Sequence, residues 1–135
     1  MLANDDIQAA LVAYLKAKTA VTSLLVTSAG VKESQWQGTQ FDYPAVRLDL
    51  GVQTPVGGGS GSCPARLTIS IRCYSQNASS QEADNLAGAV NSVLHGKQFS
   101  NSGIRFVVYS TGLVSAVRQD ERTWRSEANF WMIVQ

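Results

Sequence analysis

The side chains that most often carry catalysis are few and scattered in this sequence. His95 is the only histidine, and it falls where a helix is expected to end, a place that suits a cation because the C-terminal end of a helix dipole is negative. Cys63 and Cys73 have a ten-residue spacing that matches no zinc pattern. We expect Cys73 to be a small core residue and Cys63 a reduced loop thiol. An active site needs such groups within reach of one another, so we expect a protein without catalytic residues, metal or cofactor.

The carboxylates and the glycine-rich run show no active-site pattern either. Most carboxylates fall at expected helix starts, on strands and in a turn, and none of these is spaced with another for acid and base work; they include Asp5, Asp6, Glu82, Asp84, Asp49, Glu127, Asp120 and Glu121. The run Gly57-Gly58-Gly59-Ser60-Gly61-Ser62 lacks the lysine of a phosphate-binding loop and leads into a strand, not a helix. Glycine admits many backbone conformations, so this run predicts a mobile loop that joins two strands.

Arginines and aromatic residues recur at strand positions that should point away from the core: Arg66, Arg72, Arg118, Arg122 and Arg125, with Tyr74 and Trp131. Three interpretations stay open. Single-strand binders use such a surface, it could be plain polar surface, or it could be a contact between subunits, because Tyr, Trp and Arg are enriched there. A formal net charge of +1 argues against nucleic acid, since no long-range positive field would attract it.

The elements that position these residues begin with a helix. Asn4 is a candidate N-cap, Asp5 and Asp6 suit the positive end of the dipole, and an apolar stripe at helical spacing follows, formed by Ile7, Ala10, Leu11, Tyr14 and Leu15. Ala20 to Val26 predicts a short second turn of helix with Val21, Leu24 and Leu25 directed inward.

A further helix is marked at both ends. Ser79 and Glu82 have the spacing of a capping box, and Gly96 supplies a C-cap. Between them lies a helical stripe of Ala83, Leu86, Ala87, Val90, Val93 and Leu94.

Alternating segments predict the strands. In Ala45 to Leu50, Val46, Leu48 and Leu50 share one face, and Arg47 and Asp49 the other. Arg66 to Tyr74 alternates in the same way and forms a long hairpin with it. Residues 27–43 are predicted only as partly extended, with a short strand near Val31. Three more strands are expected at Ile104 to Tyr109, Leu113 to Arg118 and Thr123 to Val134, with a turn at Asp120-Glu121.

A chain of 135 residues with 44% apolar and 16% charged residues is sized for one domain, residues 1–135. We expect an α+β fold: a mainly antiparallel sheet with two helices packed on one face and a long β-hairpin with a Gly/Ser-rich loop. The last strand carries large apolar groups on both faces, Trp131 and Ile133 included, which indicates either a central strand covered on both sides or packing against a neighbouring chain. No stretch suits a membrane span or a secretory leader, so we expect synthesis in the cytoplasm.

Four segments together resemble one known family. They are Ile7-Gln-Ala-Ala-Leu-Val-Ala-Tyr-Leu-Lys, Phe41-Asp-Tyr-Pro-Ala-Val-Arg-Leu, Arg66-Leu-Thr-Ile-Ser-Ile-Arg-Cys-Tyr-Ser and Glu82-Ala-Asp-Asn-Leu-Ala-Gly-Ala-Val-Asn-Ser-Val-Leu-His-Gly. In this order they resemble the tail completion (tail terminator) proteins of tailed bacteriophages. The sequence departs from a typical member in the glycine content of its loop and in the polar segment from Ser34 to Gln40.

The resemblance implies a structural virion protein that is assembled in the host cytoplasm. It implies a homo-oligomeric ring, usually a hexamer, that caps the head-proximal end of the tail tube, stops tail growth and provides the surface for joining the head. The implied partners are other copies of itself, the tail tube protein, possibly a sheath protein, and the head–tail adaptor or neck proteins, with no membrane and no sequence-specific nucleic acid.

Two alternatives remain open: another neck or head-completion (adaptor) protein, and a small nucleic-acid-binding module. The candidate interface residues are the loop, Gly57, Gly58, Gly59, Ser60, Gly61 and Ser62, and the outward strand positions Arg66, Arg72, Tyr74, Arg125 and Trp131.

Overall fold

The structure is a computed structural model, and it describes residues 2–33, 42–57 and 64–135. These residues form three helices and seven strands. The helices are α1 (Asn4–Lys16), α2 (Thr19–Thr22) and α3 (Gln81–Leu94), with a 3₁₀ turn at Ser28–Gly30. The strands are β1 (Val31–Glu33), β2 (Ala45–Leu50), β3 (Thr54–Pro55), β4 (Ala65–Ser75), β5 (Gln98–Asn101), β6 (Ile104–Arg118) and β7 (Trp124–Val134). None of the helices within these ranges is long and apolar enough to cross a membrane.

All seven strands belong to one sheet of order β1-β2-β4-β7-β6-β5, and β3 pairs with β4 beside β2. Every pair is antiparallel except β1 with β2. The expected long hairpin is present: Leu50 lies opposite Ile69, and Val56 N donates to Pro64 O at 2.9 Å near its end. The α+β prediction is confirmed.

The core lies between the sheet and the two longer helices. Alternate residues of β4 and β7 face it, because side chains in a strand point to opposite faces in turn. These buried strand residues meet the predicted stripes of α1 and α3, which pack on the same face of the sheet. They include Leu67, Ile69, Ile71 and Cys73 from β4 and Ala128, Phe130, Met132 and Val134 from β7.

Neither N-terminal cap forms as predicted: the side chains of Asn4 and Glu82 bond to other parts of the fold, and Ser79 Oγ lies one residue before the N-cap and accepts from Gln81 N at 3.2 Å. Ala3 occupies the N-cap of α1 without a side-chain bond, and Asn4 Oδ1 instead accepts from Gln53 Nε2 at 3.0 Å. At α3 the N-cap is Ser80, and the Glu82 carboxylate accepts from Ser75 Oγ at 2.7 Å. Both helices nevertheless form where their apolar stripes predict them.

The C-terminal end of α3 agrees with the sequence in part. Gly96 follows the helix with a φ of +68°, a conformation that glycine adopts without strain. His95 is the C-cap, one residue beyond the helix. Its Nδ1 accepts from Ser110 N at 3.0 Å. His95 therefore joins the end of α3 to β6.

The two strands predicted at Ile104 to Tyr109 and Leu113 to Arg118 are one strand of 15 residues, β6. The apparent break is a shift of register against β7 between Ser110 and Gly112, where Gly112 has a φ of +153°. An extra residue in one strand of a pair bends the ladder without ending it. The two predicted strands are therefore one strand with a bulge at Gly112.

Some smaller details differ from the sequence analysis or lie outside the described residues. The second helix is only Thr19–Thr22, and Leu24 is 41% exposed although Val21 and Leu25 are buried. Strand β5, which the sequence did not indicate, carries Phe99, whose ring stacks on Tyr14 of α1 at 3.7 Å between centroids. The segment from Ser34 to Gln40, with Trp36, lies outside the described residues, as do Phe41 and Cys63.

Candidate interaction surface

The face of the sheet turned away from α1 and α3 is the candidate functional surface, and we call it the outer face. It is formed by the strand positions that alternate with the core positions, because neighbouring side chains point to opposite faces. The predicted interface residues Arg66, Arg72, Tyr74, Arg125 and Trp131 all lie on it, on the paired strands β4 and β7. The sequence prediction that these residues share one surface is thus met by the geometry, and their role in an interface stays a prediction.

One end of the outer face carries an aromatic cluster. The rings of Trp131 and Tyr109 lie 4.8 Å apart and tilted, and the Arg66 guanidinium lies 5.0 Å from the centre of the Trp131 ring. Ile133 and Val107 continue the cluster by register. A guanidinium over an indole is attracted by the ring electrons, so Arg66 holds Trp131 in place while both keep surface that a partner can cover.

The middle of the outer face is an ion-pair ladder across three strands. Arg72 lies 3.4 Å from Asp49 on β2, and its Nε donates to Glu127 on β7 at 3.1 Å. The hydrogen bond with Glu127 raises the pKa of Arg72 above its ordinary value. Two carboxylates beside one guanidinium leave little positive potential here, which disfavours a nucleic-acid surface.

Beside the ladder, Arg47 is buried, contrary to the expectation of an outward polar position on a half-buried strand. Its side chain is only 5% exposed, and Nη1 donates to Gly30 O at 2.8 Å and to Val46 O at 3.0 Å. Burial lowers its pKa below the ordinary value, against opposing effects of Tyr74 and Glu33. Arg47 thus ties the turn before β1 to β2 and is not part of an exposed surface.

At the other end of the outer face, Tyr74 and Arg125 are neighbours by register, and both are half-buried. Arg125 also lies opposite Val117 of β6. An arginine between a tyrosine and a valine presents both charge and an apolar stem, which suits a polar rim around an apolar contact.

The predicted loop is described at one residue. Gly57 has a φ of +81° and open space around its α-carbon; Gly58, Gly59, Ser60, Gly61 and Ser62 lie outside the described residues. Val52 and Val56 are exposed on the same hairpin. The role of this loop in a contact stays a prediction from its composition.

The sequence analysis missed an apolar strip on β6. Leu113 is 53% exposed, and Val114 and Val117 are each 46% exposed. Val114 and Val117 lie on the outer face opposite Glu127 and Arg125, and Leu113 lies on the helix side opposite Ala128. Adjacent apolar residues on both faces of one strand could have indicated an uncovered strand. The prediction of two separate short strands obscured this signal.

The described residues include one cysteine and no cluster of metal-binding side chains. Within residues 2–33, 42–57 and 64–135 no three His, Cys, Asp or Glu side chains gather to hold a metal. Cys73 is buried, and burial raises the pKa of its thiol well above the ordinary value, so it is a poor nucleophile. The arrangement on the outer face can bind by shape and charge.

The comparisons with known proteins agree with this geometry. A family model described as "Tail completion protein gp17" matches residues 9–135. A solved chain described as "Virion of native gene transfer agent (GTA) particle" is 20% identical, with a TM-score of 0.70 over 95% of this chain and 93% of that chain. A second solved chain, whose name states no function, is 14% identical, with a TM-score of 0.63 over 100% of this chain and 97% of that chain. At these identities the two structures establish the fold. The comparison with curated protein sequences gives no match.

Proposed function

This chain belongs to the tail completion protein gp17 family and is a structural protein of a phage tail, and from that premise we propose that it is a tail terminator. In this role, copies of the chain form a ring, of six subunits, at the head-proximal end of the tail tube. The ring ends tube growth and offers a surface to which the head is joined. It acts through shape and interface complementarity and catalyses no reaction.

The observation that supports the proposal is the composition of the outer face. Trp131, Tyr109 and Arg66 form an aromatic cluster there, on the side of the sheet opposite the hydrophobic core. Tyr, Trp and Arg are the residues that carry most of the binding energy at protein interfaces. A stable sheet that keeps such a group on its uncovered side is suited to binding another protein.

A ring follows if two different surfaces of the chain are complementary. A head-to-tail contact repeated around a rotation axis closes into a ring when the rotation divides a full turn. The proposed neighbours are then other copies of this chain at the sides, the tail tube and, in a contractile tail, the sheath on one side, and the adaptor or neck proteins on the other. The run from Gly57 to Ser62 is the proposed contact with one of these axial neighbours.

Light scattering and electron microscopy test the proposal. The purified chain is measured alone and with tail tubes, against the 14.5 kDa of one copy. The terminator role requires rings several-fold heavier than one copy, free or at one end of each tube, and tubes that no longer elongate when ring protein is present. A chain that stays monomeric and leaves tube growth unchanged contradicts it.

A matched pair of variants shows whether the outer face is responsible. Trp131→Ala removes the centre of the aromatic cluster, and Thr68→Ala changes its exposed neighbour on β4. Loss of rings or of tube capping in the first variant alone supports the outer face as the contact. Rings and tube capping that are unaffected in both variants place the contact elsewhere.

A further inference from the structure

The strand β6 has an uncovered edge beyond its first few residues. Among the described residues, β5 pairs only with Ile104–Val107, and two further backbone bonds hold Val108, whose N–H donates to Lys97 O and whose carbonyl accepts from Gly96 N. From Tyr109 onward the described residues give the β6 backbone two side-chain partners: Ser110 N donates to His95 Nδ1, and Ala116 N donates to Asp84 Oδ1. An open edge with apolar side chains is a place where another chain docks.

The apolar strip of Leu113, Val114 and Val117 lies on this uncovered edge. Each of these side chains is about half exposed, and together they show apolar surface on both faces of the strand. The uncovered edge of β6 therefore suits a partner that approaches the strand from the side. Arg125 flanks Val117 on the outer face and forms no ion pair with a carboxylate in the described ranges.

A complementary groove lies near the opposite edge of the sheet, where β1 is the last strand. It has a volume of about 460 Å³ and lies between α1 and the end of β1. Among the described residues its lining combines the apolar side chains of Ala9, Val12 and Ala13 with the carboxylates of Asp5 and Glu33 at its margin and a single cation, Lys16. The groove is thus mainly apolar with a net negative rim, whereas the strip is apolar beside a positive group.

We propose that the apolar strip on β6 of one copy seats in the groove between α1 and β1 of the next copy. The inference rests on the ring of the proposed function and names its lateral contact. The two surfaces lie at opposite edges of one sheet and differ from each other, so their pairing is head-to-tail and repeats from copy to copy. Arg125 then lies near the negative rim formed by Asp5 and Glu33, and opposite charges at the margin set the orientation of the contact.

Cysteine cross-linking tests the pairing. A chain with Cys63→Ser, Ala9→Cys and Val114→Cys is treated with a short bismaleimide under ring-forming conditions, with tail tubes present if the rings need them. Each subunit then carries one reactive group for each neighbour, so denaturing gels are expected to show a ladder of products up to the full ring. The variants with Val114→Cys alone or Ala9→Cys alone are expected to stay uncrosslinked.

A matched control uses an exposed residue outside both surfaces. Val26 is 76% exposed and belongs to neither the strip nor the groove, so Val26→Cys with Val114→Cys is expected to give no ladder. In a parallel assay, Val114→Asp is expected to weaken assembly at least tenfold, and Val26→Asp to leave it unchanged. Circular dichroism shows that each variant is folded.

The outcomes separate this inference from the proposed function. Rings that form and give no ladder with the Ala9→Cys and Val114→Cys pair overturn the proposed contact and leave the terminator role standing. Dimers from Val114→Cys alone indicate a symmetric edge-to-edge contact and also overturn it. A chain that forms no assembly alone or on tubes contradicts the terminator role itself.

Discussion

Asp84 at the start of α3 and Ser126 on β7 are joined by a hydrogen bond of 2.6 Å, in which Ser126 Oγ donates to Asp84 Oδ1. The same oxygen accepts from the backbone N–H of Ala116 at 2.8 Å. One carboxylate oxygen thus joins a helix to both strands of the β6–β7 hairpin. The far half of β6 has few other contacts on that side, so the direction of the hairpin depends on Asp84.

Asp84→Ala is expected to loosen the far half of the hairpin and to lower the free energy of unfolding by about 1–3 kcal/mol, since it leaves the buried Ser126 hydroxyl unpaired. Amide hydrogen exchange at Ala116 should accelerate, and urea unfolding gives the energy. Asp84→Asn keeps a side-chain oxygen as acceptor and should lose less. Unchanged exchange at Ala116 in the alanine variant would show that the hairpin is held by other contacts.

Trp131→Ala is expected to reduce assembly strongly and to reduce stability only modestly, by roughly 1–2 kcal/mol, because the ring is half-buried on the outer face and its main contacts are Tyr109 and Arg66. Sedimentation velocity measures assembly, and thermal unfolding measures stability. A stability loss as large as that of a buried aromatic residue, with normal assembly, would make Trp131 a core residue and not a contact.

Arg47→Met is expected to cost about 1–3 kcal/mol, because it removes the guanidinium that pairs with Gly30 O and leaves that oxygen without its donor. Arg105→Met, at an exposed position of β6, should change stability by less than about 0.5 kcal/mol. Denaturant unfolding of both variants gives the comparison. Equal stability of the two variants would mean that the buried guanidinium contributes nothing net.

Asp120 should titrate below the ordinary range of a carboxyl group. Its Oδ1 accepts from the backbone N–H of Arg122 at 2.8 Å, and this bond, with further bonds from Thr123, lowers its pKa. A lowered pKa in the folded state means that the carboxylate stabilises the turn above the ordinary pKa of about 4, and that the contribution is lost as the pH falls through the lower, folded value.

Carbon-detected NMR of the Asp120 carboxyl across the acid range measures this titration. Asp120→Asn keeps the acceptor oxygen and should remove the pH dependence at this turn without opening it. A midpoint at or above that of a model aspartate would contradict the assignment.

Cys73 should be inert in the folded protein, because its thiol is buried and burial raises its pKa. In a Cys63→Ser background, a maleimide should label Cys73 only after denaturation, as mass spectrometry can follow over time. Cys73→Ser should lower the free energy of unfolding by about 1–3 kcal/mol, because it buries a hydroxyl. Cys73→Ala should lower it by less, because it buries no polar group. Rapid labelling under native conditions would show that the core opens at β4.

The order and type of the main elements could be read from the sequence because apolar spacing reports which side of an element is buried. Alternation placed β2, β4 and β7, and helical stripes placed α1 and α3. The caps could not be read in the same way, since the side chains of Asn4 and Glu82 pair with Gln53 and Ser75. A side chain that could cap a helix can also bond to other groups, and the distant ones come within reach only in the folded chain.

The candidate surface was predictable as a face and not as a set of contacts. Period-two alternation places Arg66, Arg72 and Trp131 on one side of the sheet, but the register of β4 against β7 decides that Arg72 pairs with Glu127 and that Arg66 lies over Trp131. Burial of Arg47 was also beyond the local pattern, because it depends on the turn at Gly30 lying over β2. The strip on β6 was missed because the sequence analysis divided this strand into two.

Because the sheet packs against the core on one face only, its two faces should tolerate substitutions differently. Even-numbered residues of β7 from Ser126 to Val134 are buried on the helix side, and the odd-numbered residues between them are partly exposed on the other. Substitutions in the second set can therefore change the surface of the outer face without altering the hydrophobic layer that makes the chain fold. If the proposed contact lies on this face, the fit between a virus and its own assembly components can diverge while the scaffold is inherited unchanged.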